Sequence, residues 1–145
     1  MAPAGSFESL AAALQGGADS VYFGVGKLNM RSRATANFAE EDLPEIVARC
    51  HEAGAKAYLT LNIIVYDEEL EAARNLCAVA KAAGVDAVIA SDLAVITHAH
   101  SIGLEVHMSV QANVCNMASV RFYAQYADVV VLARELTLAQ IRRII

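Results

Sequence analysis

Amide side chains follow two of the strand-like runs in this chain, at positions where they could hydrogen-bond a ligand. In HMSVQANVCN, residues 107–116, polar and apolar residues alternate, and Gln111 is one of the polar residues. Asn62 directly follows another strand-like run, AYLTL. Strict alternation predicts a strand with one apolar and one polar face, and a buried amide needs a partner, a water or a ligand. Asn62 and Gln111 are therefore candidate substrate-binding residues.

Two arginines, Arg31 and Arg33, lie in the long segment GKLNMRSRATANF that follows the run SVYFG. Arginines two residues apart in a loop can present their guanidinium groups to a phosphate or a carboxylate. The alternative is an ordinary solvated loop surface. We treat both arginines as candidate residues for gripping an anionic group.

Polar residues also follow the later strand-like runs. Asp92 comes after AVIA, Asn113 after EVHMSV, and Arg134 and Glu135 after VVVLA. For Asp92 and Asn113 the alternative is a helix N-cap, and Arg134 and Glu135 could instead pair with neighbours such as Asp92. All four are candidate substrate-binding residues, and the sequence assigns no residue a catalytic role.

The histidines and Cys115 have spacings that do not favour a metal site. His98 and His100 are two residues apart on a predicted helix and so point in different directions, and His107 lies at the wrong end of its strand to meet Cys115. No carboxylate or nucleophile elbow accompanies a serine and histidine pair either. We predict no metal site in this chain.

The elements that position these residues alternate between two periodicities. Apolar runs typical of strands lie at 20–24, 57–61, 87–90, 105–110 and 129–133. Helical patterns lie between them, and two have clear apolar stripes. The stripes are Leu43, Ile46, Val47 and Cys50 in one helix, and Leu70, Ala73, Cys77 and Ala80 in the next. Strict alternation of strands and helices predicts a parallel sheet, with Cys50 and Cys77 in its core.

The strands fall into two kinds that alternate along the chain. GAKAYLTLN at 54–62 matches GLEVHMSVQ at 103–111, whereas the strands of the other set align on Asp19, Asp86 and Asp128. In a (β/α)8 barrel, odd-numbered and even-numbered strands contribute different layers of inward-facing side chains, whereas an open doubly wound sheet needs no such alternation. We predict an α/β fold, a partial (β/α)8 TIM-like barrel of about six βα units with a truncated first strand.

Composition sets the remaining limits. The chain has 145 residues, of which 57% are hydrophobic, and a formal net charge of −5, so residues 1–145 are predicted to form a single domain. The absence of a long apolar run and of a signal-like start predicts no membrane partner and a cytoplasmic location. A full barrel needs about 250 residues, and both ends resemble interrupted elements, so we expect a part of a longer protein.

Several motifs in order along almost the whole chain carry a family resemblance. They are APAGSFESLAAALQGGADSVYFG, NMRSRATANF, YLTLN, IASDLAVI, HMSVQANVCN and VVLAREL with TLAQI. Together they resemble the N-terminal portion of the peptidase U32 family, the collagenase-like proteases, and most closely its tRNA and ribosomal RNA pyrimidine hydroxylase branch. The resemblance implies a TIM-like barrel and an iron–sulfur cluster held by cysteines of a segment beyond Ile145, which this chain does not include.

Three functions follow as expectations from the residues and the resemblance. The first is that the full-length protein hydroxylates a pyrimidine base of tRNA or ribosomal RNA, while this chain alone is inactive and holds no cofactor. The second is a collagenase-like protease acting on a peptide. The third is a non-catalytic module that self-associates through the open edges of its incomplete barrel, as a homo-oligomer.

Overall fold

Strands and helices alternate through the chain in the computed structural model, which describes residues 1–29 and 38–145. The strands are β1 (Ala2–Ala4), β2 (Ser20–Phe23), β3 (Lys56–Leu61), β4 (Ala87–Ala90), β5 (Val106–Met108) and β6 (Val129–Val130). The helices are α1 (Phe7–Gln15), α2 (Leu43–Glu52), α3 (Leu70–Ala82), α4 (Leu93–Ser101), α5 (Met117–Tyr123) and α6 (Leu138–Ile141). Short 3₁₀ turns cover Glu40–Asp42, Asp67–Glu69 and Val110–Ala112. None of the described helices has the length and apolar character needed to cross a membrane.

The six strands form one parallel sheet in the order β1-β2-β3-β4-β5-β6. Each strand therefore pairs with the strand that follows it in sequence, as Tyr58 with Ala87 and His107 with Val129 show. An open doubly wound sheet reverses its strand order at a switch point, whereas a (β/α)8 barrel adds its strands sequentially. The predicted α/β class and parallel sheet are confirmed, and the topology is consistent with a partial TIM-like barrel.

The helices cover the sheet with the apolar stripes that their spacing predicts. In α2, Leu43, Ile46, Val47 and Cys50 are all buried. In α3 the buried positions are Ala73, Leu76, Cys77 and Ala80. Leu70, which the sequence placed on this stripe, is half-buried, and the sequence stripe did not include Leu76. Burying a leucine, isoleucine or valine side chain contributes about 1.5–3 kcal/mol, so these stripes fix both helices on the sheet.

Two of the three aspartates that mark alternate strands hold neighbouring strands together. Asp86, just before β4, accepts a hydrogen bond from the Ala57 N–H through Oδ2 at 2.7 Å, and its own N–H donates to the Ala57 carbonyl at 3.0 Å. Asp128, just before β6, makes the same pair of bonds with Val106, each at 2.9 Å. The repeat thus ties the start of β4 and of β6 to the preceding odd-numbered strand, at the amino ends of the strands.

The fifth strand is shorter than predicted, and its polar face does not continue as expected. β5 ends at Met108, and the Ser109 side chain then accepts a hydrogen bond from the Gln111 N–H at 3.3 Å as the N-cap of a 3₁₀ turn. Asn113 has a left-handed backbone, with φ 51° and ψ 42°, and is exposed. The strand with one polar face that the alternation predicted therefore does not continue past Met108, because the Ser109 hydroxyl, and not a neighbouring strand, accepts from the Gln111 backbone N–H.

Candidate functional site

A cavity of about 550 Å³ opens at the carboxyl ends of β3, β4 and β5. The segment after β3 contributes Asn62, Ile63, Ile64 and Tyr66 to its walls. Ser91 and Asp92 line it from the end of β4, and Gln111 lines it from the turn after β5. Its volume lies in the range of small-ligand sites, and the carboxyl ends of the strands are where barrel proteins carry their active sites.

Three of the candidate residues meet at this cavity, namely Asn62, Asp92 and Gln111. Asn62 is half-buried, while Gln111 is exposed because it lies in the 3₁₀ turn and not on a strand. Gln111 thus lines the cavity from a loop and not from the predicted strand face. Asn62 follows β3 and Gln111 follows β5, the strands on either side of β4.

The other candidates are not brought to this cavity. Asn113, Arg134 and Glu135 are exposed and do not line it. Arg31 and Arg33 lie outside the described residues, so their predicted role in anion binding stays a prediction.

Asp92 connects two segments of the cavity wall. Its Oδ1 accepts a hydrogen bond from the Ala94 N–H at 2.8 Å and so caps α4, while its Oδ2 accepts from the Val65 N–H at 3.4 Å. The expected alternative role as a helix cap is therefore real, and the same carboxylate also ties the segment after β3 to the start of α4. No ion pair of Asp92 with Arg134 occurs in the part of the chain that the structure describes.

Two large apolar side chains of the cavity wall were not among the candidate residues predicted from the sequence. Ile64 is 73% exposed and Tyr66 is 62% exposed, although both belong to the run IIVY. An apolar run usually indicates core, so hydropathy alone predicts burial for both residues. The signal that could have found them is position: the run follows a strand-ending amide, and it precedes the helical stripe of α3.

Buried hydroxyls lie on β3 and directly after β5 and are equivalent in the sequence repeat. Thr60 is 7% exposed, and its Oγ1 donates to the Phe23 carbonyl at 2.9 Å. Ser109 is 4% exposed, and its backbone N–H donates to the Ala90 carbonyl at 2.8 Å. Every buried polar side-chain atom among the described residues has a hydrogen-bond partner. Thr60 and Ser109 thus support the end of the sheet from within its packed interior.

The cysteines do not form a ligand set for a metal or a cluster. Burial raises the pKa of Cys50 to about 11, with a further contribution from the Asp86 carboxylate, and burial alone raises the pKa of Cys77 to about 11. Cys115 is exposed. Within 1–29 and 38–145, no three His, Cys, Asp or Glu side chains are grouped so as to hold a metal ion. The described residues therefore do not fit an iron–sulfur cluster.

The side chain of His107, on β5, contacts Glu105 and Tyr58. His107 Nε2 lies 2.8 Å from Glu105 Oε1, and its ring packs edge-on against Tyr58 with 4.8 Å between the ring centroids. A nucleophile needs its base within hydrogen-bonding reach and a third group to orient that base. Glu105 is thus a carboxylate beside His107, which the sequence analysis did not expect. Among the described residues, however, no hydrogen bond joins His107 to Ser109, whose Oγ accepts from the Gln111 N–H at 3.3 Å.

The chain has an α/β fold of six parallel strands, consistent with a partial TIM-like barrel, and the cavity at the carboxyl ends of β3, β4 and β5 is its candidate site. The sequence profile of peptidase family U32 matches residues 5–145, so the chain belongs to this family. The solved structure of the U32 peptidase Mk0906 aligns with 99% of this chain and 64% of that chain, with a TM-score of 0.77 at 16% identity. That likeness shows the fold.

Relatives with different printed activities share this region. A collagenase of Porphyromonas gingivalis is 51% identical over 99% of this chain and 35% of its own length. The tRNA hydroxylation protein P1 of Bacillus subtilis is 34% identical over 98% of this chain and 34% of its own length. The 23S rRNA 5-hydroxycytidine C2501 synthase of Escherichia coli is 36% identical over 88% of this chain and 19% of its own length. The chain thus spans about a third or less of these relatives.

Proposed function

We propose that the full-length protein hydroxylates a pyrimidine base in tRNA or ribosomal RNA, and that this chain supplies part of the base-binding wall of its barrel. The observation that carries the proposal is the meeting of Asn62, Asp92 and Gln111 at one cavity at the carboxyl ends of the strands. An amide side chain has both a donor and an acceptor, so a pair of amides can hydrogen-bond the edge of an unpaired base.

The relatives support this reading, since the Bacillus subtilis and Escherichia coli proteins are named for RNA hydroxylation. A cytoplasmic location is part of the proposal, because tRNA and ribosomes are found there. The iron–sulfur cluster that the family resemblance implies would need cysteines from outside this chain, since Cys50 and Cys77 are core residues of helices. We therefore assign no chemical step to the residues of this chain through such a cluster, and give them a role in binding the RNA.

Mass spectrometry of tRNA and 23S ribosomal RNA tests the proposal. A strain that lacks the full-length gene is expected to lose a hydroxylated pyrimidine nucleoside, and the wild-type gene on a plasmid to restore it. The Asn62→Ala and Gln111→Ala variants are expected to restore it incompletely, because each removes one amide from the cavity. An unchanged set of hydroxylated pyrimidines in the deletion strain would refute the RNA function.

A collagenase-like peptidase is the second candidate, and the 51% identity to the Porphyromonas gingivalis collagenase is the observation that favours it. Its test is cleavage of gelatin by the full-length protein, purified without metal. Cleavage that is lost in the Ser109→Ala or the Cys115→Ala variant would favour the peptidase. We rank it second because Ser109 is buried and, among the described residues, no hydrogen bond joins it to His107.

A further inference from the structure

The segment that follows β3 presents an apolar face beside the amides of the cavity. Ile64 and Tyr66 are among the most exposed large hydrophobic side chains of the described residues, at 73% and 62%. Single exposed apolar residues are ordinary on protein surfaces. Here two of them lie within three residues and line the same cavity as Asn62 and Gln111. A planar ring with polar edges would use both kinds of surface at once.

The backbone under Tyr66 is held in place on both sides. The Tyr66 N–H donates to Glu69 Oε2 at 3.0 Å, and the Glu69 N–H donates to the Tyr66 carbonyl at 2.8 Å. The preceding Val65 N–H donates to Asp92 Oδ2 at 3.4 Å. An aromatic side chain on an anchored backbone costs little ordering free energy when a ligand binds, so the segment is suited to binding more than to a purely connecting role.

The chemistry of the cavity wall favours one class of occupant. An aromatic face gives stacking energy to any base, and amide groups distinguish the hydrogen-bonding edge of one base from another. We propose, on the basis of the proposed RNA function, that one unstacked pyrimidine of single-stranded RNA lies against Tyr66 and Ile64, with Asn62 and Gln111 at its edge. Asp92 is a positioning residue, because both of its oxygens already accept backbone hydrogen bonds.

The test measures binding of two RNA probes to the full-length protein by fluorescence anisotropy. One probe is a labelled decamer of abasic ribose phosphates with a single central uridine, and the other is the fully abasic decamer. The wild-type protein is expected to prefer the uridine probe, and Tyr66→Ala to reduce that preference by about 5- to 100-fold, which is the range for the loss of one base–aromatic stack.

Three variants separate stacking from folding and from general apolar contact. Tyr66→Phe is expected to keep the preference because it keeps the ring, and Tyr66→Leu is expected to lose most of it although apolar bulk remains. Phe122→Ala is the matched control, since Phe122 is an aromatic residue of α5 that is 45% exposed and does not line the cavity. It is expected to bind both probes as the wild type does. Circular dichroism checks that each variant is folded.

Two binding results would overturn the inference. One is a Tyr66→Ala variant that still prefers the uridine probe as the wild type does, or that weakens both probes equally. The other is a gelatin peptide whose binding depends on Tyr66 and which displaces neither probe. That result would assign the cavity to peptides. The deletion strain separates this inference from the proposed function. If the strain loses its hydroxylated pyrimidine and the Tyr66→Ala gene restores it fully, this inference is refuted and the proposed function stands. Unchanged RNA in the deletion strain would instead refute the proposed function.

Discussion

Three thiols in one chain differ in reactivity because their surroundings differ. Cys50 and Cys77 are fully buried on α2 and α3, and each has a pKa raised to about 11, whereas Cys115 is exposed. The thiolate is the reactive form, so burial both blocks access and lowers the reactive fraction near neutral pH. Cys115 is therefore expected to react with Ellman's reagent in the folded chain, and Cys50 and Cys77 only after unfolding.

The raised pKa values also predict how stability depends on alkaline pH. An unfolded thiol ionises near its usual pKa of 9.0, whereas Cys77 ionises near about 11 in the folded chain. A raised folded-state pKa gives stability that is present below pH 9 and is lost as the pH rises toward 11. Urea unfolding at pH 8 and pH 11 should show this loss, and Cys77→Ala should lessen it by on the order of 2 kcal/mol. An unchanged loss in Cys77→Ala would contradict this explanation.

At the scale of the elements, Asp92 links the stability of α4 to the shape of the cavity. Asp92→Ala removes the acceptor for the Ala94 N–H, and the loss of a helix cap costs about 1 kcal/mol of unfolding free energy. It also frees Val65 and, through it, the segment that carries Tyr66. We expect Asp92→Ala to lower stability in urea unfolding of this chain and to weaken binding of the uridine probe by the full-length protein.

Asn116→Ala is the matched control for this prediction. Asn116 caps α5 by accepting a hydrogen bond from the Ser119 N–H at 2.9 Å, and it does not line the cavity. Its removal should cost a similar amount of stability and leave probe binding unchanged. If Asp92→Ala and Asn116→Ala affect binding to the same extent, Asp92 is only a helix cap.

The elements themselves were predictable where one periodicity dominated. The stripe of Leu43, Ile46, Val47 and Cys50 identified α2, because a helix on a sheet must bury one face. The end of β5 was not predictable in this way, since it depends on whether the Ser109 side chain or a neighbouring strand bonds the backbone. Hydropathy does not encode that choice.

The candidate site was predictable only in part for a related reason. Asn62 and Asp92 were found because the carboxyl ends of parallel strands meet at one edge of the sheet. Ile64 and Tyr66 were missed because exposure depends on which neighbours cover a residue, and their composition resembles that of core. The aspartate repeat was visible in the sequence, but its bonds to Ala57 and Val106 required the strand register.

At the scale of the whole molecule, the sheet ends in two edges, β1 and β6, within the described part of the chain. β6 has two residues, of which Val129 is 42% exposed, and Val131 directly after it is 43% exposed. An unpaired edge with exposed apolar side chains is a template for pairing with another chain. We therefore expect the isolated 145-residue chain to self-associate at micromolar concentration in sedimentation velocity experiments.

A charge at the edge should oppose this association more than a charge elsewhere on the surface. Lysine is one of the devices by which natural edge strands avoid pairing, so Val129→Lys and Val131→Lys are expected to shift the chain toward monomer. Val79→Lys on α3 is the matched control, because Val79 is 42% exposed and lies on a helix, where no backbone donors or acceptors are open. A wild-type chain that sediments as a monomer at every concentration, or a Val79→Lys effect equal to that of Val129→Lys, would show that the β6 edge does not drive association.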